Sequence, residues 1–210
     1  AVAHAASQPN GAPTTPNVWK NTSGDQLWNA SSINWSLGLW TGGPALFESA
    51  GAGLVTLDSA TVAASGLEFT VADYNIDATS GNSLTLTGTS GASPAITVNG
   101  DATITAPLAG TDGLAVNGAS VLTLAGANTY SGSTLIRGGI VVMKAPTGVN
   151  GTSSYALDNI DALDSGATVK LFNDVDTTTT PGTPTNVRVS NGQMGNRKRL
   201  IMTGGTFDIA

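Results

Sequence analysis

The chain has 210 residues, including 27 glycines and no cysteine, and carries a formal net charge of −6 at neutral pH. Without cysteine there are no disulfides, cysteine-based zinc sites or thiol catalysis, and the acidic balance offers no electrostatic basis for binding nucleic acid or an anionic membrane. Only 10% of the residues are charged, and no apolar run is long enough for a transmembrane helix. This composition is typical of a turn-rich, secreted all-β protein.

Residues 1–16 predict an extended, flexible N-terminal arm, because they are rich in alanine, proline and small polar residues. The first residues also resemble the small-residue end of a secretion signal. The single histidine of the chain, His4, lies in this arm. We therefore expect neither a Ser-His-Asp triad nor a histidine-based metal site, and the sequence predicts no catalytic residue.

Residues 17–50 contain all four tryptophans of the chain, Trp19, Trp28, Trp35 and Trp40. The first coil of a solenoid has an exposed hydrophobic end, and large aromatic side chains suit a cap that covers it. The segment therefore predicts an aromatic N-terminal cap. As an alternative, the four indoles form a surface row that stacks on sugar rings, as in a carbohydrate-binding module.

Short apolar segments separated by Gly, Asn, Asp or Ser fill residues 51–145. Their apolar positions are two residues apart, which is the pattern of a strand with one buried face. The predicted strands are 54–57, 67–71, 84–87, 95–98, 102–105, 114–116, 121–124, 134–137 and 140–142. Such a series of short strands predicts a β-solenoid.

An offset of 18 residues relates the tripeptide Val-Asn-Gly at 98–100 to the same tripeptide at 116–118. One coil of a β-helix takes about 20 residues, so the offset predicts coils whose equivalent side chains stack. Asn99 is then expected to lie over Asn117 in an amide ladder. The apolar ladder predicted at the same spacing is Leu86, Ile104, Leu122 and Ile140.

Residues 146–210 predict a continuation of the solenoid with loop excursions. A short helix or an excursion is expected at 153–164, and strands are expected at 167–172, 186–189, 199–203 and 206–209. The basic cluster 197–199, together with Arg188, leaves open a head-to-tail contact with an acidic patch on another copy. Solvated turn residues are the simpler interpretation of this cluster.

Acidic residues leave two chemical alternatives open. Calcium is a weak one, because the spacing of the later aspartates matches neither of the known calcium loops; these residues are Asp158, Asp161, Asp164, Asp174 and Asp176. A polysaccharide-degrading enzyme would need clustered carboxylates. Asp101, Asp112 and Arg137 show no such clustering in the sequence, so we expect no enzyme and no cofactor.

Residues 121–142, VLTLAGANTYSGSTLIRGGIVV, resemble the passenger-associated repeat of bacterial autotransporters. The matching positions are Leu122, Leu124, Gly126, Asn128, Thr129, Tyr130, Gly132, Thr134, Ile136 and Gly139. The family usually follows the last glycine with Thr-Leu, where this chain has Ile140 and Val141. The resemblance implies a secreted, right-handed parallel β-helix. With the apolar ladder predicted above, residues 128–130 are expected to form a turn that packs Tyr130 on the solenoid.

Together these features predict an extracellular structural or adhesive β-solenoid on the bacterial outer surface. The expected partners are other copies of the chain, through end-to-end or arm-mediated contacts that form fibres or a matrix, or a host receptor or glycan. Exposed backbone at the solenoid ends would favour assembly by β-augmentation. The alternatives are the tryptophan-based carbohydrate-binding module and the polysaccharide-degrading enzyme.

Overall fold

The computed structural model describes residues 15–48, 52–89, 91–144, 160–172, 200–202 and 206–209. The strands are β1 Asn17–Val18, β2 Leu27–Trp28, β3 Pro44–Phe47, β4 Leu54–Leu57, β5 Thr61–Ala64, β6 Gly66–Phe69, β7 Tyr74–Ala78, β8 Ser83–Leu86, β9 Ala95–Val98, β10 Ala102–Ile104, β11 Leu108–Ala109, β12 Leu114–Gly118, β13 Val121–Leu124, β14 Thr134–Ile136, β15 Ile140–Lys144, β16 Ile160–Leu163, β17 Thr168–Phe172, β18 Leu200–Met202 and β19 Thr206–Ile209. Among the described residues there is no helix that is long and apolar enough to cross a membrane.

The strands form a parallel β-helix with three sheets. Sheet 1 has the order β1-β3-β6-β9-β12-β14-β16-β18, sheet 2 the order β19-β17-β15-β13-β10-β7-β4-β2, and sheet 3 the order β11-β8-β5. Because consecutive strands alternate between sheets and each strand pairs with one from the next coil, the chain winds around a single core. This confirms the predicted all-β parallel β-helix.

The core is built from stacked, inward-facing side chains. In sheet 2, one stack consists of Ile76, Ile104, Leu124 and Met143, which pair in register and are fully buried. Burying an aliphatic side chain of this size stabilises a fold by about 1.5–3 kcal/mol. The intervening residues point outward, so each strand has one face in the core and one face toward solvent, as its alternating apolar pattern predicts.

The predicted ladder with an 18-residue offset is wrong. Ile104 pairs with Leu124, and Leu86 lies in sheet 3 rather than sheet 2. Ile140 is outward-facing and half-buried, while its neighbour Val141 is in the core. The coils in this region are one or two residues longer than 18, and a shift of one residue turns every side chain to the other face.

The predicted amide ladder also fails for this reason. Asn117 pairs with Thr97, and Gly118 pairs with Val98, so Asn99 does not lie over Asn117. Gly118 has a φ of 112°, and a Cβ there would lie 2.0 Å from the carbonyl oxygen of Val98. The glycine is therefore needed for the close approach of two coils rather than for an Asn-Gly turn.

The sheets cross both predicted boundaries without a break. Strands β3 and β2 pair with β6 and β4 across residue 50, and β14 and β15 pair with β16 and β17 across residue 145. The end of the segment predicted as a helix or an excursion, Ile160–Leu163, is a strand of sheet 1. Residues 153–159, the predicted strand 186–189 and residues 1–14 of the predicted arm lie outside the described residues.

Candidate interaction surface at the tryptophan cap

A short hairpin closes the N-terminal end of the β-helix. We call residues 33–40 the cap hairpin. Its turn is closed by two backbone hydrogen bonds: the amide of Trp35 donates to the carbonyl of Gly38 at 3.2 Å, and the amide of Gly38 donates back at 2.9 Å. The hairpin lies along the outer edge of β1, because the amide of Ser36 donates to the carbonyl of Val18 at 2.8 Å.

Asn34 fixes the hairpin across the end of the helix. Its side-chain amide donates to a carboxylate oxygen of Asp25 at 2.5 Å and to the carbonyl of Leu27, on β2, at 2.9 Å. Its side-chain oxygen accepts from the amide of Ser23 at 2.8 Å, and its backbone carbonyl accepts from Lys20 at 2.7 Å. Asn34 is fully buried, so this one residue links the segment that follows β1 to the edge of sheet 2.

Through these contacts the outer edges of β1 and β2 are already hydrogen-bonded. The carbonyl of Val18 accepts from Ser36, and the amide of Val18 donates to the Ser36 hydroxyl at 3.0 Å. The amide of Leu27 donates to the Asp25 carboxylate at 3.0 Å, while its carbonyl accepts from Asn34. Strand addition at this end would have to displace the cap, so the expected β-augmentation does not fit the described N-terminal end.

The four tryptophans pack together beneath the hairpin. The ring centroid of Trp35 lies 5.2 Å from that of Trp19, 4.8 Å from that of Trp28 and 4.4 Å from that of Trp40. Phe47 continues the cluster at 5.8 Å from Trp35. Trp19 and Trp28 are fully buried, and Trp35 and Trp40 are only 2% and 8% exposed. The rings form the aromatic end of the core.

This burial does not fit the glycan-stacking alternative. A sugar ring stacks on an open aromatic face, and the faces of Trp19, Trp28, Trp35 and Trp40 are covered by one another and by the neighbouring coil. The indole N–H of Trp40 is also used internally, since it donates to the carbonyl of Ala63 at 3.0 Å. The aromatic signal in the sequence therefore marks a core, and the physical reason is the need to cover the end of a solenoid.

The outward side of the cap hairpin is apolar. Ile33, Leu37 and Leu39 are 55%, 59% and 43% exposed, although the same hairpin contains the buried Asn34, Trp35 and Trp40. We call these three residues the cap patch. The sequence analysis did not single them out, because it considered only the tryptophans of this segment.

The residues of the passenger-like motif are structural. Leu122, Leu124 and Ile136 are fully buried in the core. The side-chain oxygen of Asn128 accepts from the amide of Leu108 at 2.8 Å, and the buried Tyr130 hydroxyl lies 2.8 Å from the Thr134 hydroxyl. A Cβ at Gly126 would lie 2.3 Å from the carbonyl oxygen of Ala106, so a side chain does not fit there. Gly132 and Gly139 have φ of 100° and 72°, which favour glycine. Thr129 is exposed.

The outer face of sheet 2 carries a shallow groove of about 350 Å³. The groove lies across the N-terminal ends of β7, β10 and β13. Its polar lining comes from Asp73, Asn75, Asp101, Thr103 and Thr123. Asp101 is held in place because its carboxylate accepts from the amide of Val121 at 2.9 Å. The groove offers hydroxyl, amide and carboxylate groups, which can hydrogen-bond a polar partner.

The acidic residues form no candidate metal centre in the described part of the chain. No group of three or more Asp, Glu or His side chains there is arranged to hold a metal ion. The carboxylate of Asp112 accepts from the amide of Gly88 at 2.8 Å, which is a structural role at a turn, and Arg137 is exposed after β14. Residues 173–199, with the predicted basic cluster and the later aspartates, lie outside the described residues.

Among the described residues, two ionisable groups have shifted pKa values, and both are in or next to the cap. The hydrogen bond from the Leu27 amide, followed by that from Asn34, lowers the pKa of the Asp25 carboxyl below its usual value of 3.8. Burial, with a smaller contribution from the Glu48 carboxylate, raises the pKa of Tyr74 to about 12. The Tyr74 hydroxyl donates to the carbonyl of Glu48. Both pKa shifts therefore arise from hydrogen bonds and burial that hold the cap together.

Comparison with known proteins identifies the repeat. Residues 114–143 match the family model of the passenger-associated-transport-repeat. The chain is also 41% identical over 128 residues to an adhesin, the BmaC autotransporter of Brucella suis biovar 1 (strain 1330). That alignment covers 55% of this chain and only 4% of the adhesin. No solved structure matches the chain. Residues 114–143 therefore contain a passenger-associated-transport-repeat, which forms strands β12 to β15 of the β-helix.

Proposed function

We propose that this chain is a segment of an extracellular, adhesive passenger that holds bacterial cells to other surfaces and to one another. The observation that carries the proposal is that the fold of the chain and its similarity to a named adhesin point to the same role. The passenger repeat folds as consecutive coils of a β-helix, and the same chain is similar to a protein named as an adhesin. Both agree with the expectation that the chain is not an enzyme.

The outer faces of the coils suit contact rather than chemistry. Where sheet 2 forms the groove, the outward positions in register are Asn75, Thr103 and Thr123. Hydroxyl and amide groups hydrogen-bond a partner without the desolvation cost of a buried charge. A rigid, repetitive face of this kind supplies many weak contacts in parallel, and many copies on one cell multiply them.

A bead assay tests this proposal. Beads coated with the purified chain are incubated with epithelial cells, with extracellular-matrix proteins and with other coated beads. We expect adhesion that rises with coating density and exceeds that of albumin-coated beads in at least one of the three arms. Beads coated with the heat-unfolded chain control for nonspecific stickiness. If folded chain and albumin perform alike in all three arms, the adhesive proposal is wrong.

A further inference from the structure

The cap hairpin presents an apolar surface where a solenoid cap normally presents a polar one. Capping repeats need a polar outer face to stay soluble. Here Ile33, Leu37 and Leu39 point outward from the segment whose inward residues, Asn34 and Trp35, plug the end of the helix. The outward exposure is thus not forced by a lack of polar residues, since serine and asparagine occur throughout the same segment.

The stretch of sequence that carries the patch contains no charged residue. Residues 26–47 contain no Asp, Glu, Lys, Arg or His, although the chain as a whole carries a net charge of −6. The charged residues that flank this stretch in the sequence make contacts within the cap: Lys20 pairs with Glu48 at 3.6 Å, and the Asp25 carboxylate accepts from Asn34 and Ser32. A partner that binds through charge finds no complementary group in this stretch.

Neutrality has a specific meaning for contact between identical chains. In a twofold contact the same patch occurs on both partners, so any charged residue near the axis meets its own charge. Two acidic copies repel one another over most of their surface, whereas residues 26–47 of the cap carry no charge. Because the cap hairpin already occupies the outer edges of β1 and β2, the contact has to be made by side chains.

We propose that the cap patch binds the cap patch of a second copy of this chain, so that two β-helices meet cap to cap about a twofold axis. The proposal rests on the self-association included in the proposed function and names the surface that performs it. Three half-exposed side chains per copy form a contact far smaller than the roughly 800 Å² per partner of a standard stable interface. The pair is therefore weak in solution and becomes effective when many copies on two surfaces face each other.

Sedimentation velocity over a range of protein concentrations tests the surface. The test variant is Leu37→Ser combined with Leu39→Ser, and the matched control is Leu54→Ser. Leu54 is 39% exposed but lies at the start of β4, outside the cap. We expect the wild type and Leu54→Ser to dimerise alike, and the cap variant to need about tenfold higher concentration, because each lost contact counts twice in a twofold pair.

Cysteine cross-linking tests the symmetry, since the natural chain contains no cysteine. Under mild oxidation, Leu37→Cys is expected to form a disulfide-linked dimer much faster than Leu54→Cys. All the substituted side chains are exposed, and unchanged tryptophan fluorescence verifies that the cap stays folded. The cysteine variants are compared at equal concentration, so that random collisions contribute equally to both.

The outcomes separate the two proposals. A wild type that remains monomeric at every concentration overturns self-association and the cap contact together, while leaving adhesion to other surfaces standing. A wild type that dimerises only as readily as the cap variant overturns the cap contact alone. If the cap variant dimerises poorly but Leu37→Cys cross-links no faster than Leu54→Cys, the cap-to-cap form is overturned, because the patch then meets a different surface.

Discussion

The cap, residues 15–48, and the repeat coils, residues 95–144, complete their backbone hydrogen bonding in different ways. In the repeat coils, each strand pairs with the next coil at a nearly constant spacing, as in the register of Ile96, Val116 and Ile136. In the cap, side chains such as Asn34 and the Ser36 hydroxyl take the place of a missing coil. A solenoid can thus repeat one solution along its length, but its end needs a sequence of its own.

The cores of the two regions differ in the same sense. The repeat coils bury aliphatic side chains in columns, whereas the cap buries four indoles that contact one another at many angles. All four tryptophans of the chain lie in the cap, so tryptophan fluorescence reports on the cap and circular dichroism reports on the sheets. The two regions can therefore be followed separately during unfolding.

The largest predicted effect comes from Trp35→Ala, which removes the ring at the centre of the cap cluster. Truncating a buried aromatic residue costs about 3–5 kcal/mol in the free energy of unfolding. Because the cap lies at one end of the stack of coils, the loss should be local. In urea unfolding, we expect the fluorescence midpoint to fall well below the midpoint measured by circular dichroism.

The matched control is Leu124→Ala in the repeat coils, where a fully buried leucine is expected to cost about 2–5 kcal/mol. This change should lower both midpoints together, since it weakens the middle of the stack. Coincident transitions in Trp35→Ala would mean that the cap and the coils unfold as one unit, and the contrast between the regions would then be purely geometric.

The sequence predicted the repeat coils better than the cap, for a physical reason. Strands 95–98 and 121–124 have the same bounds in the structure, because alternating apolar residues and flanking turns determine them locally. Strand β7, Tyr74–Ala78, was missed. Its outward residues, Asn75 and Asp77, have low strand propensity, and only the inward Tyr74 and Ile76 carry the alternating signal.

Register and side-chain roles in the cap required the structure. Along the whole β-helix the spacing between paired residues varies: Ala102 pairs with Tyr74, whereas Ala115 pairs with Ala95. No single repeat length in the sequence therefore gives the pairing. The sequence does not distinguish Asn34 from the other asparagines of the cap, yet Asn34 is fully buried and its side chain bonds to the edge of sheet 2. Its partners, Ser23, Asp25 and Leu27, are brought to it by the fold of the hairpin. No local pattern marks such a role.

A second prediction compares two buried asparagines, Asn34 in the cap and Asn128 in the repeat coils. Leaving a buried backbone or side-chain group without its partner costs about 1–3 kcal/mol. Asn34→Ala leaves the carbonyl of Leu27 and the amide of Ser23 without their partner, whereas Asn128→Ala releases the amide of Leu108. We expect losses of about 3 and about 1.5 kcal/mol respectively, measured by urea unfolding.

The location of the loss sharpens this second comparison. Asn34→Ala should act first on tryptophan fluorescence, since it frees the outer edges of β1 and β2. Asn128→Ala should shift both spectroscopic transitions by similar amounts. If Asn128→Ala costs as much as Asn34→Ala, side-chain capping at the end of the helix is no more important than a hydrogen bond within a repeat turn.

The smallest predicted effect is a pH dependence at the junction between the cap and the next coils, where Tyr74 packs against Phe47 at 5.1 Å. The pKa of Tyr74 is raised to about 12 in the folded chain, against about 10 in the unfolded chain. Between pH 10 and 12 the unfolded chain therefore binds fewer protons than the folded chain, so this contribution to stability, fully present below pH 10, is lost as the pH rises.

At neutral pH, Tyr74→Phe should be less stable by about 1 kcal/mol, because its hydrogen bond to the carbonyl of Glu48 is missing. That deficit should shrink from pH 10 to 12 in paired urea titrations of the two proteins, in which all other groups titrate alike. A deficit that stays constant over this range would show that the tyrosine hydroxyl ionises as freely in the folded chain as in the unfolded one.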